Sequence, residues 1–234
     1  MAIKNIPKIS FIIPTLNEEE TLPLLLSELQ NYPYSNEIII VDGGSKDFTI
    51  KIAEIYGVKI KRTNVPNRGK QLSIGAKSAK GEWLFFLHSD IGFSKEWIKK
   101  IALNISTNSS IDNAYYFNFK IRSNQLRFRI LEMCVSIRCL ILNKPYGDQG
   151  LLINKRKYFL YKGFKEYQIM EDIDFIDRLR KGLHIISIKS PIYINPRKWN
   201  KKSIILVAYR NLLLRIRWRK GESNKRLFED YINY

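Results

Sequence analysis

The sequence predicts an α/β fold in which helices flank a mostly parallel central sheet. Three short apolar runs carry this prediction, at 9–13, 37–41 and 83–87, and each is rich in β-branched or aromatic side chains. Such runs are typical of strands that are buried on both faces of a parallel sheet. Helix-forming segments separate them, and this alternation is the pattern of right-handed crossover connections.

Local signals define the elements of the first half. We expect the first helix to begin near Asn17, a residue type that caps helix N-termini, and to end before Pro33. Gly57 and Gly81 end the next two helices. The predicted strands are 9–13, 37–41, 58–62 and 83–87, and the predicted helices are 17–31, 46–56 and 70–80.

The second half of the chain is less regular. Strands are predicted at 114–121, 151–154 and 185–188, and helices at 94–105, 125–142, 171–181 and from 201 onward. Acidic residues open the helix at 171–181 and Gly182 ends it. No repeat, linker or break in composition is present, so we predict one domain over 1–234. It has a first half at about 7–105, a second half at about 106–199 and a basic helical tail at 200–234.

The composition is that of a strongly basic globular protein. The 234 residues are 45% hydrophobic, and 40 Lys and Arg against 22 Asp and Glu give a net charge of +18. Such a charge attracts polyanions, including nucleic acid, anionic lipid and phosphorylated substrates. Between 200 and 220 there is no acid but there are seven basic residues, namely Lys201, Lys202, Arg210, Arg215, Arg217, Arg219 and Lys220.

Several other classes of protein do not fit this composition. No window approaches the ~20 apolar residues of a membrane-spanning helix, and the run at 9–13 is too short for a signal peptide. We therefore expect a cytoplasmic protein. Cys134 and Cys139 do not face each other on a helix, so we expect reduced thiols. With His88 and His184 as the only histidines, no structural zinc site is expected.

Polar residues follow the predicted strands at their carboxyl ends. Ligands of open α/β sheets bind beyond these ends, so we expect the polar residues to converge on one crevice. Acids, an amide, hydroxyls and glycines together suit a sugar nucleotide and a divalent metal, because carboxylates bind hard cations and glycines let backbone approach a ligand. The set comprises Thr15, Asn17, Glu18, Asp42, Gly43, Gly44, Ser45, His88 and Asp90.

Five motifs occur in a fixed order along the chain. They are IIPTLNEEETLP, VDGGSKD, FLHSD, GDQG and MEDIDFIDRLRKG. A motif such as DGGS is weak alone, but the five in this order resemble a family 2 glycosyltransferase of the GT-A fold. The similarity is to small bacterial single-domain members of the family, and it extends to the NPRKW segment at 195–199.

The resemblance implies that the first half binds a nucleoside diphosphate sugar, most naturally of the UDP type. Asp42 would accept a hydrogen bond from a uracil-type imide N–H, since an acid at the end of a core strand is costly without a partner. Alternatives stay open: Glu18 would also suit a helix N-terminus, and Arg68 a solvated loop. The implied donor-binding residues are Pro14, Thr15, Asn17, Glu18, Asp42, Gly43, Gly44, Ser45, Arg68, His88 and Ser89.

His88-Ser89-Asp90 takes the place of the family's DxD motif. The resemblance implies that Asp90 binds Mg²⁺ or Mn²⁺, with donor phosphates and water completing the shell. His88 stands where a first aspartate is common, which removes one negative charge. The alternative for His88 is a structural role, as a core histidine whose ring nitrogens are hydrogen-bonded within the protein.

The resemblance places catalysis in the second half. Asp172, with Glu171 beside it, would be the catalytic base that takes a proton from the acceptor hydroxyl, and the product would have inverted configuration. The alternative is that both acids only favour a helix N-terminus. Residues implied on the acceptor side are Asp148, Gln149, Arg197 and Trp199.

Two other functions compete with this interpretation. A sugar-nucleotide pyrophosphorylase shares the α/β layout but carries a Gly-rich basic loop near its N-terminus, where this chain has the acidic PTLNEEE. A protein that binds nucleic acid or an anionic surface would use the basic tail. In such a protein the polar residues at the strand ends would have no function. We expect no specific nucleic acid partner. The tail is a candidate for docking on an anionic membrane, with a core-packing helix as the alternative.

Overall fold

The computed structural model describes residues 6–196 and 203–232. Within these ranges the strands are β1 Ile9–Thr15, β2 Asn36–Asp42, β3 Lys59–Arg62, β4 Trp83–Phe86, β5 Ile91–Phe93, β6 Asn113–Ile121, β7 Leu151–Asn154 and β8 His184–Ile194. They form one sheet in the order β3-β2-β1-β4-β7-β6-β8-β5. The predicted α/β fold with a mostly parallel sheet is confirmed.

The first half of the sheet is parallel, as predicted. β1 lies between β2 and β4, β3 pairs with β2, and all three pairings are parallel. The last residues of β1 and β2, Thr15 and Asp42, are direct partners. The polar residues that follow these strands therefore meet at one edge of the sheet.

The second half departs from the parallel pattern. β7 is antiparallel to both β4 and β6, and β5 is antiparallel to β8. The three-residue strand β5 was not predicted, and β8 continues six residues beyond its predicted end at 188. It passes Pro191 because Lys189 adopts a left-handed conformation, with φ 55°, and the register with β6 shifts between Tyr116 and Asn118.

The helices lie close to their predicted positions with two exceptions. They are α1 Leu22–Gln30, α2 Thr49–Ile55, α3 Arg68–Ser78, α4 Trp97–Ile105, α5 Leu126–Leu142, α6 Lys155–Leu160, α7 Glu171–Leu179, α8 Ile204–Arg219 and α9 Asn224–Ile232. The prediction that α1 begins near Asn17 is wrong, because Asn17 is left-handed, with φ 54°, and lies in a loop. The short helix α6 was not predicted.

An aromatic core supports the sheet beneath the strand ends. Phe85 of β4 stacks on Phe117 of β6 at 5.5 Å between ring centroids and touches the rings of Phe11 and Phe93. Trp97 of α4 stacks on Phe93 at 4.3 Å. Each fully buried ring of this kind contributes about 1.5–3 kcal/mol to stability. This packing gives the polar edge of the sheet a rigid base.

The C-terminal helices pack against the segment that precedes α7. Leu214 of α8 and Leu227 of α9 form a buried cluster with Ile169. Asn224 accepts a hydrogen bond from the Gln168 N–H at 2.8 Å and donates one to the Ile169 carbonyl at 2.6 Å. In the two described ranges, no helix combines the length and the apolar character that crossing a membrane requires.

Candidate active site

Asp42 is held by the turn that follows it. Its Oδ2 accepts hydrogen bonds from the backbone N–H groups of Gly44 and Ser45, both at 2.8 Å. Its Oδ1 accepts from the hydroxyls of Thr15, at 3.1 Å, and Ser45. The carboxylate is 2% exposed, so these four bonds supply the partners that its burial requires. Contact between Asp42 and a nucleotide base stays a prediction.

The loops after β1 and β2 are bonded to each other. The Asn17 N–H donates to Ser45 Oγ and the Lys46 N–H donates to Asn17 Oδ1, each at 2.9 Å. The Glu18 N–H donates to Thr49 Oγ1 at 2.7 Å. Asn17 and Ser45 therefore shape the edge of the site by joining two loops, and neither caps a helix through its side chain.

Gln71 is a site residue that sequence reasoning missed. Its amide nitrogen, buried beneath the loops, donates to the carbonyls of Thr15 at 3.0 Å and Val41 at 2.7 Å. A Cβ at Gly43 would lie 3.2 Å from the Gln71 side chain, so a larger residue there would press against it. Gln71 thus fixes the spacing between the ends of β1 and β2 from α3.

The strand ends open into a cavity of about 790 Å³, which we call the large cleft. A volume of this size fits a ligand as large as a nucleotide sugar. Six of the eleven predicted donor residues line it, whereas Asn17 and the turn residues Asp42, Gly43, Gly44 and Ser45 are not among its walls. The walls include Pro14, Thr15, Glu18, Arg68, Gln71, His88, Ser89, Asp90, Gln168, Phe228 and Ile232.

The segment His88-Ser89-Asp90 lies on the wall of the large cleft, directly after β4. Ser89 is buried, while His88 and Asp90 are half-buried. Among the described residues, no three His, Cys, Asp or Glu side chains are grouped so that they could hold a metal ion together. Asp90, around which the described part of the chain groups no two further ligating side chains, fits a hard cation that takes its remaining oxygen ligands from bound phosphates and water.

Arg68, which is partly exposed, and the buried Glu171 form an ion pair that joins the two halves of the chain. Arg68 is the first residue of α3 and Glu171 the first of α7, and Arg68 Nε donates to Glu171 Oε1. The Glu171 side chain is 1% exposed, and its Oε2 has no hydrogen-bond partner within the described residues. Burial raises the pKa of Glu171 to about 7, and the Arg68 charge offsets only part of this effect.

The raised pKa predicts how stability depends on pH. Between pH 4.5 and about 7 the folded protein binds more protons at Glu171 than the unfolded chain, so the free energy of unfolding falls as pH rises. We expect Glu171→Gln to lack this contribution. Urea unfolding of both proteins at pH values across this range should show the wild type losing stability relative to the variant. A constant difference between them would contradict the raised pKa.

Asp172 lies beside Glu171 and is held by the loop at 147–150, which we call the acceptor-side loop because it contains two of the predicted acceptor residues. Its Oδ2 accepts a hydrogen bond from the Gly147 N–H at 2.8 Å, and its Oδ1 accepts from the Ile173 N–H at 2.8 Å. A Cβ at Gly147 would lie 3.2 Å from Asp172 Oδ2 and 3.3 Å from His88 Nε2. Asp172 and His88 therefore flank the same glycine.

The four predicted acceptor residues have different outcomes. Asp148 lines a cavity of about 260 Å³ next to the large cleft, which we call the adjoining cavity. Gln149 is only 1% exposed and bonds to Arg138, the Tyr146 N–H and the Phe117 carbonyl, so it holds the loop in place and does not face the cavity. Arg197 and Trp199 lie outside the described residues.

The adjoining cavity borders the large cleft, and Asp172 is one of its lining residues. The two share Arg68, His88, Gln168 and Phe228 as lining residues. Asp172 lines the adjoining cavity together with Asp148, Tyr146 and Ile173. The candidate base therefore faces a space next to that of the candidate metal ligand.

The C-terminal helices form one wall of the site, which the sequence did not predict. Arg215 of α8 lines the adjoining cavity, and its guanidinium carbon lies 5.6 Å from the centroid of the Tyr146 ring. Phe228 and Tyr231 of α9 line the same cavity. The only sequence signal for this role was the apolar content of the tail, which also fitted a core-packing helix.

Proteins of known sequence are similar to this chain. An uncharacterized glycosyltransferase of Haemophilus influenzae is 30% identical over 182 residues, which are 73% of this chain and 61% of the relative. The poly(ribitol-phosphate) beta-N-acetylglucosaminyltransferase TarS of Staphylococcus aureus is 35% identical over 112 residues, or 44% of this chain and 20% of TarS. The chain thus spans at most about three fifths of the length of these two relatives.

Solved structures show the same fold. TarS 1–349 of S. aureus in complex with UDP superposes with a TM-score of 0.60 at 21% identity, covering 80% of this chain and 60% of that one. Glucosyl-3-phosphoglycerate synthase of Mycobacterium tuberculosis, with Mn²⁺, UDP and glucosyl-3-phosphoglycerate, gives 0.61 at 19% identity, covering 93% and 81%. The predicted GT-A fold is confirmed.

The match to the family model extends from the first strand to the end of the turn after α7. It covers residues 10–182 and so includes the strand ends, the His88-Ser89-Asp90 segment, the acceptor-side loop and both acids of α7. On this match, together with the fold, the chain belongs to glycosyl transferase family 2.

Proposed function

We propose that this protein is an inverting, metal-dependent glycosyltransferase that moves a sugar from a nucleoside diphosphate sugar to an acceptor hydroxyl. One observation carries the proposal: two neighbouring cavities, which share four lining residues, separate the residues that the two substrates require. Asp90 lines the large cleft, whereas Asp172 lines the adjoining cavity. The donor occupies the large cleft and the acceptor enters the adjoining cavity, so transfer takes place where Arg68 and His88 line both.

The donor is of the UDP type in this proposal. The structures of TarS and of glucosyl-3-phosphoglycerate synthase contain UDP, and their fold is the same. The end of β1 and the loop that follows it present Thr15 and Glu18 to the large cleft, where the ribose hydroxyls and the base would bind. Arg68, at the N-terminus of α3, adds a cation on the same wall, which suits the diphosphate.

Asp90 would hold Mg²⁺ or Mn²⁺ in this site. The neighbouring structures of glucosyl-3-phosphoglycerate synthase and of a Pyrobaculum calidifontis mannosyltransferase contain Mn²⁺. A bound cation would neutralise charge that develops on the diphosphate as it leaves. His88 is placed to donate a hydrogen bond at the junction of the cavities, where a second carboxylate would add negative charge.

Asp172 is the general base in the proposed reaction. Its carboxylate takes the proton from the acceptor O–H as that oxygen forms a bond to the anomeric carbon. The bond between the anomeric carbon and the diphosphate oxygen breaks, and the nucleoside diphosphate leaves from the opposite face. The bond from the Gly147 N–H fixes one carboxylate oxygen, and Glu171 positions the site through Arg68.

The acceptor class that we propose to test first is a lipid hydroxyl, with the enzyme in the cytoplasm at the inner face of the membrane. The charge of +18 supports this class, since anionic lipid attracts basic proteins. Large apolar side chains are also exposed on α5 and α8, which a membrane surface would accommodate.

A thermal-shift screen tests the proposed function. Nucleoside diphosphates and their sugars are added with and without Mn²⁺, and binding to the folded state alone raises the melting temperature. We expect UDP with Mn²⁺ to give the largest shift, equivalent to ~2.7 kcal/mol at a hundredfold excess over its Kd. Random-sequence DNA is the comparison ligand. A shift with DNA but none with any nucleotide would favour the nucleic-acid-binding alternative and contradict the proposal.

A further inference from the structure

We propose that the exposed apolar face of α5 docks on the surface of an anionic lipid bilayer. Helix α5 carries large apolar side chains that no other part of the described chain covers. Their exposed fractions range from 46% to 83%, and their position on one helix makes them a contiguous patch, unlike apolar residues scattered singly over a surface. We call this face the α5 stripe, and it consists of Leu126, Ile130, Met133, Ile137, Leu140 and Ile141.

The α5 stripe is continuous. Successive members are separated by four, three, four, three and one residues, so at 100° per residue they lie within an arc of about 100°. The opposite face of the helix packs on the core through Phe128, Val135 and Cys139. The stripe is therefore about 22 Å long and points away from the sheet.

The charges around the stripe are all positive. Arg127 and Arg129 flank it on either side near its N-terminal end, and both are exposed. Glu132, the only acid in the helix, is 3% exposed and bonded to Lys120 and Arg129. The exposed surface of α5 thus has an apolar centre with a basic residue on each side near its N-terminal end, where Arg129 also pairs with Glu132. Apolar centres with basic flanks are typical of helices that lie in a bilayer interface.

The charge favours a bilayer over a second copy of the chain as the occupant. A symmetric dimer through the stripe would bring together two molecules that each carry a net charge of +18. An anionic surface instead attracts this charge, and each Lys or Arg near it contributes to binding. The same complementarity disfavours docking on a basic or neutral protein.

We place the docking surface on α5 and not on the basic tail that the sequence suggested. Arg210 donates to two backbone carbonyls of α9, Arg217 pairs with Glu222 and Asp230, and Lys201 and Lys202 lie outside the described residues. Two of the five described basic residues between 200 and 220 are therefore bonded within the fold.

The position of α5 connects docking to the site. Arg138, near the end of the helix, donates to the Lys144 carbonyl and to Gln149, and its guanidinium lies 3.7 Å from the Tyr146 ring centroid. Tyr146 lines the adjoining cavity. A bilayer under α5 would thus lie next to the loop that holds Asp172.

Vesicle co-sedimentation at low salt tests the proposal. We expect the wild-type chain to sediment with vesicles in which about a third of the lipid is phosphatidylglycerol, and not with pure phosphatidylcholine. Ile137→Ser combined with Leu140→Ser should lower the partition coefficient between vesicles and water at least about tenfold. The reason is that two apolar side chains, which would be buried in the bilayer interface, are lost. The matched control, Leu24→Ser with Ile55→Ser, removes two other exposed apolar side chains, on α1 and α2, and should sediment like the wild type.

Melting temperatures and light scattering complete the experiment. Neither double variant changes charge or a buried residue, so both should melt close to the wild type, and the unliganded chain should be monomeric. Equal sedimentation of the stripe variant and the wild type would overturn the proposal. So would a lipid-free dimer that the stripe variant dissociates. Nucleotide-induced thermal shifts of the same proteins report on the proposed function separately.

Discussion

Replacing Asp172 by Asn is expected to slow sugar transfer by at least about two orders of magnitude while donor binding stays nearly intact. Asn retains the shape of the side chain but cannot take a proton. Its single carbonyl oxygen can accept only one of the two hydrogen bonds, from Gly147 and Ile173, that Asp172 accepts on separate oxygens. Asp172 lines the adjoining cavity and not the large cleft, so the donor should be little affected. Single-turnover transfer and calorimetric donor affinity measure the two effects.

Two further variants serve as comparisons for Asp172→Asn. Asp177→Asn makes the same change on the same helix at a half-exposed position that pairs with Lys144, and transfer should stay near the wild-type rate. Glu171→Gln should reduce transfer by a smaller factor than Asp172→Asn, because Glu171 acts through Arg68. Near wild-type transfer by Asp172→Asn, or a defect confined to donor binding, would move the role of base to Glu171 or Asp148.

The second large effect is expected from Asp90→Ala. Removing the carboxylate should weaken Mn²⁺-dependent UDP binding at least about tenfold, since even residues that only orient metal ligands have effects of this size. Turnover should fall below detection. Titration of UDP by calorimetry, with Mn²⁺ and with a chelator, separates the metal-dependent part of the affinity.

Asp112→Ala is the matched control for Asp90→Ala. Asp112 is 68% exposed and pairs with Lys157, away from the large cleft, so this variant should bind UDP like the wild type. If Asp90→Ala retained full metal-dependent binding and activity, the metal would have to be held elsewhere.

The parallel half of the fold could be predicted because its strands are continuous apolar runs. β1, β2 and β4 begin and end within two residues of their predicted positions. The second half was harder. β5 is only three residues long, and β8 passes through Pro191 by a bulge that no local pattern indicates. The antiparallel direction of β7 depends on its pairing with β4, which is distant in the sequence. The residues of a strand alone do not indicate the direction of its partner.

The start of α1 shows how tertiary contacts override a local signal. Asn17 is a common helix cap, but here it is left-handed and bonds to Ser45 and Lys46, 28 and 29 residues away. The residues between Asn17 and the start of α1 extend the rim of the site, where Glu18 and Glu20 line the large cleft. The cap signal correctly marked a polar turn, and the helix begins only at Leu22.

Residue types at strand ends predicted much of the candidate site. The hydrogen bonds and ion pairs that hold these residues in place were not predictable. The sequence places Arg68 and Glu171 103 positions apart, and only the fold joins them. Gln71 has the appearance of an ordinary helix residue until its two carbonyl partners are known. Gln149 is the opposite case. Its place in a polar loop is typical of a binding residue, but its side chain is buried and donates a hydrogen bond to the Phe117 carbonyl.

The most direct test of the central claim is the configuration of the sugar when it first leaves the donor. An α-linked uridine diphosphate sugar that stabilises the protein with Mn²⁺ is incubated with the enzyme and an acceptor hydroxyl, or with water in its place. Proton NMR at early times then identifies the anomer. Attack opposite the diphosphate, with Asp172 as base, predicts that the β anomer forms first and that Asp172→Asn suppresses it. An α anomer formed first would contradict the mechanism.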